Sequence, residues 1–178
     1  RSATMIANAL LKEWAKPLTA NAEPRAYPVK ESIDEKSYIR GRFLPFEDAT
    51  TDANWKVGVP TWKNENRGAV RARFIKSPMI YSSTAGAKLT IDFTGTAIGA
   101  YMLAGPDAGI LRCTIDGKQT NEIDTLCKFS GFNYPVTIMF FNELETGDHT
   151  LELEILENRP GRMKQGGTAL RVIGFTAN

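Results

Sequence analysis

The chain has 178 residues, and its 22 Lys and Arg against 20 Asp and Glu leave a net charge of +2. With 42 % hydrophobic residues, this composition fits a globular domain with a real core, with or without a short appendage. The charge balance argues against a nucleic-acid partner or a membrane-surface partner, because no Lys/Arg block is dense enough to form a patch. No apolar run reaches membrane-spanning length. The opening RSATMIANALL lacks the charged segment and long apolar core of a signal peptide, so any export signal is expected to lie upstream or to have been removed.

Residues 2–16, SATMIANALLKEWAK, predict a helix. Ala3, Ile6, Ala7, Leu10, Leu11 and Trp14 recur at helical spacing, and Pro17 ends the pattern. A short helix cannot bury such a stripe alone, so the stripe calls for a partner surface. Residues 17–37 are polar, carry three prolines and show no periodicity, which predicts a linker.

From Tyr38 the pattern turns to β. Candidate strands are YIRGRFLPF, a short aromatic run NWKVGVPTW broken by Pro60, AVRARFI, MIYSS and KLTIDFTG. AIGAYMLAG, ILRCTIDG, a strand near 119–127, VTIMFFNEL, HTLELEIL and ALRVIGFTA follow. In KLTIDFTG, Leu89, Ile91 and Phe93 should face inward and Thr90, Asp92 and Thr94 outward. Arg71 and Arg73 alternate in AVRARFI and would share a face, but two arginines do not make a stripe. Turn signals recur every 8–14 residues, with no intervening helices and no repeat. This predicts an antiparallel β-sandwich over 38–178, preceded by a helix over 1–16 and a linker over 17–37.

Few side chains point to chemistry. His149 is the only histidine, so it is the sole candidate base for a nucleophilic site; after its Thr-Gly-Asp turn it is expected to fix that turn by hydrogen bonding. The common hydrolase and phosphate-loop motifs are absent. Glu152 and Glu154 share a face and read as a solvated sheet surface. Cys113 and Cys127 follow no metal-ligand spacing, and Cys113 should face a residue near 120–122, so two free thiols are expected. Glu47, Asp48 and Asp52 could offer oxygen ligands to calcium, although their spacing matches no calcium loop. No other cofactor is expected. Trp55, Trp62, Tyr101, Phe132 and Tyr134 lie in or near loops, where exposed aromatic rings stack on sugars. In GPDAG, Gly105 and Gly109 permit positive φ around Pro106-Asp107, and Asp107 can either cap its own loop or face a ligand.

The runs GAKLTIDFTGTAIGAYMLAGPDAGILRCTIDG (86–117), TGDHTLELEIL (146–156) and ALRVIGFTAN resemble the galactose-binding-like jelly-roll domain appended to bacterial SGNH/GDSL-type hydrolases. RSATMIANALLKEW resembles the last helix of the catalytic domain in that family. The family's Gly-Asp-Ser and Asp-x-x-His blocks are missing, so no catalytic role carries over. The resemblance implies a C-terminal fragment of a secreted or periplasmic esterase. Its β-domain would be a non-catalytic, carbohydrate-binding-module-like accessory, with a poly- or oligosaccharide or the missing catalytic domain as partner. Trp55, Trp62, Tyr101, Asp107 and Tyr134 are its candidate ligand residues. The alternative is a structural or cleft-completing domain without a ligand of its own.

Overall fold

The computed structural model describes residues 2–16, 26, 28, 31, 34, 37–62, 68–162 and 166–178. They belong to two compact units, Arg1–Ile33 and Asp34–Asn178. The first unit is the helix α1 (Ser2–Trp14), whose Ile6, Leu10, Leu11 and Trp14 are all exposed. Pro17 and nearly all of the expected linker lie outside the described residues.

The second unit contains β1 (Arg42–Leu44), β2 (Thr50–Thr51), β3 (Lys56–Gly58), β4 (Met79–Ser82), β5 (Lys88–Gly95) and β6 (Ile98–Ala104). It continues with β7 (Ile110–Ile115), β8 (Gln119–Asp124), β9 (Tyr134–Phe141), β10 (Gly147–Leu156) and β11 (Leu170–Ala177). One sheet runs β3-β4-β11-β6-β9, with β1 also against β11; the other runs β2-β5-β10-β7-β8. All named strand pairs are antiparallel. The pairing is nested: β4 with β11, β5 with β10, β6 with β9 and β7 with β8. That is a jelly-roll sandwich: the spacing of strands and turns anticipates the antiparallel sandwich, and the family resemblance the jelly roll.

The alternation of KLTIDFTG holds. Leu89, Ile91 and Phe93 are buried, and Leu151 and Leu153 of β10 lie beside them. Ile98, Ala100 and Met102 of β6 and Val172 and Phe175 of β11 complete the core from the facing sheet. The outer face of the second sheet is polar, as expected for Glu152 and Glu154. Lys88 reaches Glu152 at 3.3 Å, and Arg112 reaches Glu154 at 3.0 Å and Glu122 at 3.3 Å. Cys113 is buried opposite Asn121, Cys127 is half-buried, and both are free. Burial pushes the Cys113 thiol up to about 12, which makes it inert.

Two expected strands are corrected. AVRARFI makes one isolated bridge at Val70 and then a 3-10 turn over Ala72–Phe74. Only Phe74 of that turn is buried, so the segment is held by the Val70 bridge and the Phe74 ring instead of alternating. YIRGRFLPF contributes only Arg42–Leu44, because 3-10 turns at Tyr38–Arg40 and Phe46–Asp48 flank it.

Candidate functional site

The GPDAG loop between β6 and β7 is held by two arginines. Arg171, on β11, has a side chain only 2 % exposed and donates to both carboxylate oxygens of Asp107, at 3.0 and 2.6 Å. Its Nη1 also donates to Asn133 Oδ1 at 3.2 Å. Asn133 is fully buried and in turn donates through Nδ2 to the carbonyls of Gly68 and Ala69. Arg162 donates to the carbonyls of Ala108 at 2.8 Å and Gly167 at 3.1 Å, and its charge is matched by Asp124. Asp107 therefore ties its loop to β11 and does not cap its own turn.

The glycines of this loop serve close packing. Neither Gly105 nor Gly109 has a positive φ. A Cβ on Gly105 would lie 2.6 Å from Asn133 Oδ1 and 2.8 Å from Asp107 Oδ1, inside the ionic cluster. Gly105→Ala is expected to destabilise the domain by about 1–3 kcal/mol. Gly147→Ala, whose Cβ would meet nothing within 4 Å, should leave the unfolding midpoint nearly unchanged. Thermal denaturation of the two variants side by side checks this, and equal midpoints would refute the packing account.

Above this framework the loops carry an aromatic rim. Phe129 stacks on Tyr134 with ring centroids 4.8 Å apart, and Phe132 meets Tyr134 edge-on at 5.6 Å. The Arg71 guanidinium lies 5.5 Å from the centroids of both Phe132 and Tyr134. Phe129 is 47 % exposed, Arg71 is exposed, and Tyr134 and Phe132 are half-buried. Phe129 is not among the residues expected to meet a ligand, although CKFSGFNY places three rings within six residues of one loop.

The remaining candidates scatter. Tyr101 and Trp62 pack on a second cluster of Phe74, Met79 and Leu103, on the outer face of the six-stranded sheet. The Trp62 indole N–H donates to the Ile75 carbonyl at 3.1 Å. Trp55 is 8 % exposed and belongs to the main core, so its loop folds inward and presents no open ring. The structure thus gathers Asp107 and Tyr134 at the loop end and Trp62 and Tyr101 on the adjoining sheet face, and sets Trp55 apart.

His149 fixes its turn. Its Nδ1 lies 2.8 Å from Asp116 Oδ2 and its Nε2 lies 2.8 Å from the Glu145 carbonyl. Both neighbours are acceptors, so the ring satisfies both only as imidazolium. Burial pulls the His149 pKa down, but the bonds to Asp116 and Glu145 outweigh it and the net shift is upward. Asp116 is shifted down, chiefly by its bond to His149 and then by the Thr150 N–H. A raised histidine pKa stabilises the fold fully below the unfolded value, and that stabilisation disappears as pH rises through the folded value. The Asp116 contribution is present above its unfolded value and is lost as pH falls through its folded value. Wild type should therefore lose stability relative to His149→Gln as pH rises from about 6 to about 8. Parallel midpoints across that range would refute it.

Asp52, of the calcium candidates, accepts the backbone N–H of Asn54 at 2.8 Å and of Lys88 at 2.7 Å. Among the described residues no group of three or more His, Cys, Asp or Glu side chains is placed to hold a metal ion.

No protein-family model matches the chain, and no curated protein matches it in sequence. Among solved structures it is similar to a two-domain esterase active on acetylated mannans, co-crystallised with mannopentaose. The identity is 14 % over 98 % of this chain and 44 % of that one, with a TM-score of 0.61. A second structure of a two-domain esterase active on acetylated mannans gives 16 % identity over 98 % and 45 %, with a TM-score of 0.57. What is shared is a fold. The chain spans less than half the length of these esterases. A shorter overlap, 76 % of this chain at 14 % identity and a TM-score of 0.44, relates it to 94 % of the CBM36-1 domain of a multidomain xylanase from the hindgut metagenome of Trinervitermes trinervoides.

Proposed function

We propose that this chain is a non-catalytic, carbohydrate-binding-like accessory domain of a secreted bacterial SGNH/GDSL-type carbohydrate esterase. The observation that carries the reading is the stack of exposed Phe129 on half-buried Tyr134 with Arg71 above it, mounted on the buried Arg171–Asp107–Asn133 cluster. Aromatic faces take the apolar face of a sugar ring, and a rigid mount lowers the entropy lost on binding. Tyr134 would meet the glycan, Tyr101 and Trp62 would extend the surface, and Asp107 would hold the loop beneath. A non-catalytic role fits His149, whose ring nitrogens both face Asp116 and Glu145, leaving it no serine or cysteine to activate.

Calorimetry of the chain against mannan, acetylated mannan, galactan and xylan oligosaccharides tests this. Saturable binding is expected with at least one, weakened about tenfold or more by Phe129→Ala or Tyr134→Ala. Failure of the folded chain to bind any glycan would overturn it.

One feature favours a structural or cleft-completing role instead. Tyr38, Phe43 and Met139 are exposed around a shallow groove of ≈ 260 Å³, and Ile39 beside them is 75 % exposed. An apolar surface of this kind suits packing against another domain. Glycan binding by the chain alone decides between the two readings.

A further inference from the structure

We infer that the loop rim is built for an acidic glycan, one whose chain carries uronate carboxylates. The inference rests on the carbohydrate-binding reading above. Two sets of cations stand out in the sandwich. Lys88, Arg112, Arg159, Arg162 and Arg171 each bond a carboxylate. Arg71, Arg73 and Lys128 form no ion pair among the described residues and lie over rings. Arg71 is 5.5 Å from the centroids of Phe132 and Tyr134, Lys128 is 4.8 Å from that of Phe129, and Arg73 is 4.6 Å from that of Phe74. The Phe129–Tyr134–Phe132 stack joins the first two cations into one surface. Asp107, the acid of the neighbouring loop, is already held by Arg171 through both oxygens. The rim therefore carries positive charge that no described carboxylate neutralises.

A cation over a ring face is oriented by the ring and keeps its N–H edge for an acceptor. For Arg71, held against two rings, the fork that bonds a carboxylate in bidentate fashion is set in advance. A hexuronate satisfies both halves of this surface: its ring plane meets the aromatic face, and its carboxylate meets Arg71 or Lys128. A neutral sugar engages only the rings. A nucleic acid calls for a longer basic track along its phosphates than these cations provide.

The test is calorimetric titration of the whole chain with tetragalacturonate and a glucuronate-bearing xylo-oligosaccharide. Neutral galacto- and xylo-oligosaccharides and an oligothymidylate serve as comparisons, at about 20 and about 200 mM salt. The acidic sugars are expected to bind about tenfold or more tightly than the neutral ones at low salt, with the advantage shrinking at high salt. Lys128→Gln should erode that advantage while neutral-sugar affinity and unfolding midpoint hold, and Arg71→Gln should weaken the acidic sugars more than the neutral ones. Phe129→Ala should weaken both classes. Equal affinity for acidic and neutral sugars would overturn the inference and leave the carbohydrate reading standing. Tighter binding of the oligothymidylate than of either uronate would also overturn it. No binding of any sugar would overturn both.

Discussion

Replacing Arg171 with methionine is expected to lower the stability of the sandwich by about 3–5 kcal/mol, the usual effect of removing one partner of a buried ion pair. The Arg171 side chain is 2 % exposed and that of Asp107 is 16 % exposed, so solvent cannot take over the lost bonds. Asn133 Oδ1 would lose the Arg171 donor in the same step, and the GPDAG loop would keep its attachment through Arg162 and its backbone bonds to Gly167, Ala169 and Thr125. For a domain of this size each kcal/mol moves the midpoint by roughly 2–4 °C, so a drop of about 10 °C is expected in a circular-dichroism melt. The double variant Arg171→Met with Asp107→Leu should recover part of the loss, because no charge is then left buried and unpaired. A single-variant loss under about 1 kcal/mol would mean that the cluster is not what holds the loop.

Phe175→Ala is the second large effect, at about 3–5 kcal/mol. Phe175 is fully buried on β11, the strand that pairs with β1, β4 and β6. Its ring fills the space between the sheets, and the flanking strands cannot close in without breaking register, so a cavity remains. Phe43→Ala is the matched control: on neighbouring β1 but 73 % exposed, it should change stability by less than about 0.5 kcal/mol. Urea denaturation of both variants gives the comparison, and a small loss at Phe175 would show that the core collapses into the void.

Most of the sandwich was legible in the sequence because period-two alternation reports burial on one face of a sheet. KLTIDFTG, ILRCTIDG and HTLELEIL carry that pattern and became β5, β7 and β10. AVRARFI carries it too, but Ala72 is exposed and only Phe74 is buried, so the alternation was accidental. The site was less legible, because it depends on contacts far apart in the chain. Arg171 stands 64 residues from Asp107. Its one local signal is a charged residue inside the apolar run LRVIGFTA. Gly105 and Gly109 suggest backbone freedom in the sequence, whereas the constraint is space beside Asn133, Asp107 and Thr168, which no local pattern shows. Trp55 resembles any loop aromatic until the loop is seen to fold onto the core.

The nested pairing has a consequence for dividing the chain. Asp116 and Gly117, both at positive φ, form the turn between β7 and β8 at the centre of the nest. A cut there separates every partner from β4 with β11 through to β7 with β8, and it parts the bridges Val70–Asn133 and Ala108–Ala169. The first half keeps only the β2–β5 and β3–β4 pairs, and the second keeps none. Neither fragment holds a sheet of its own, so two separately made halves would gain order only by finding each other. The turn at Asp116–Gly117 is thus a natural place to split this domain into a complementation pair.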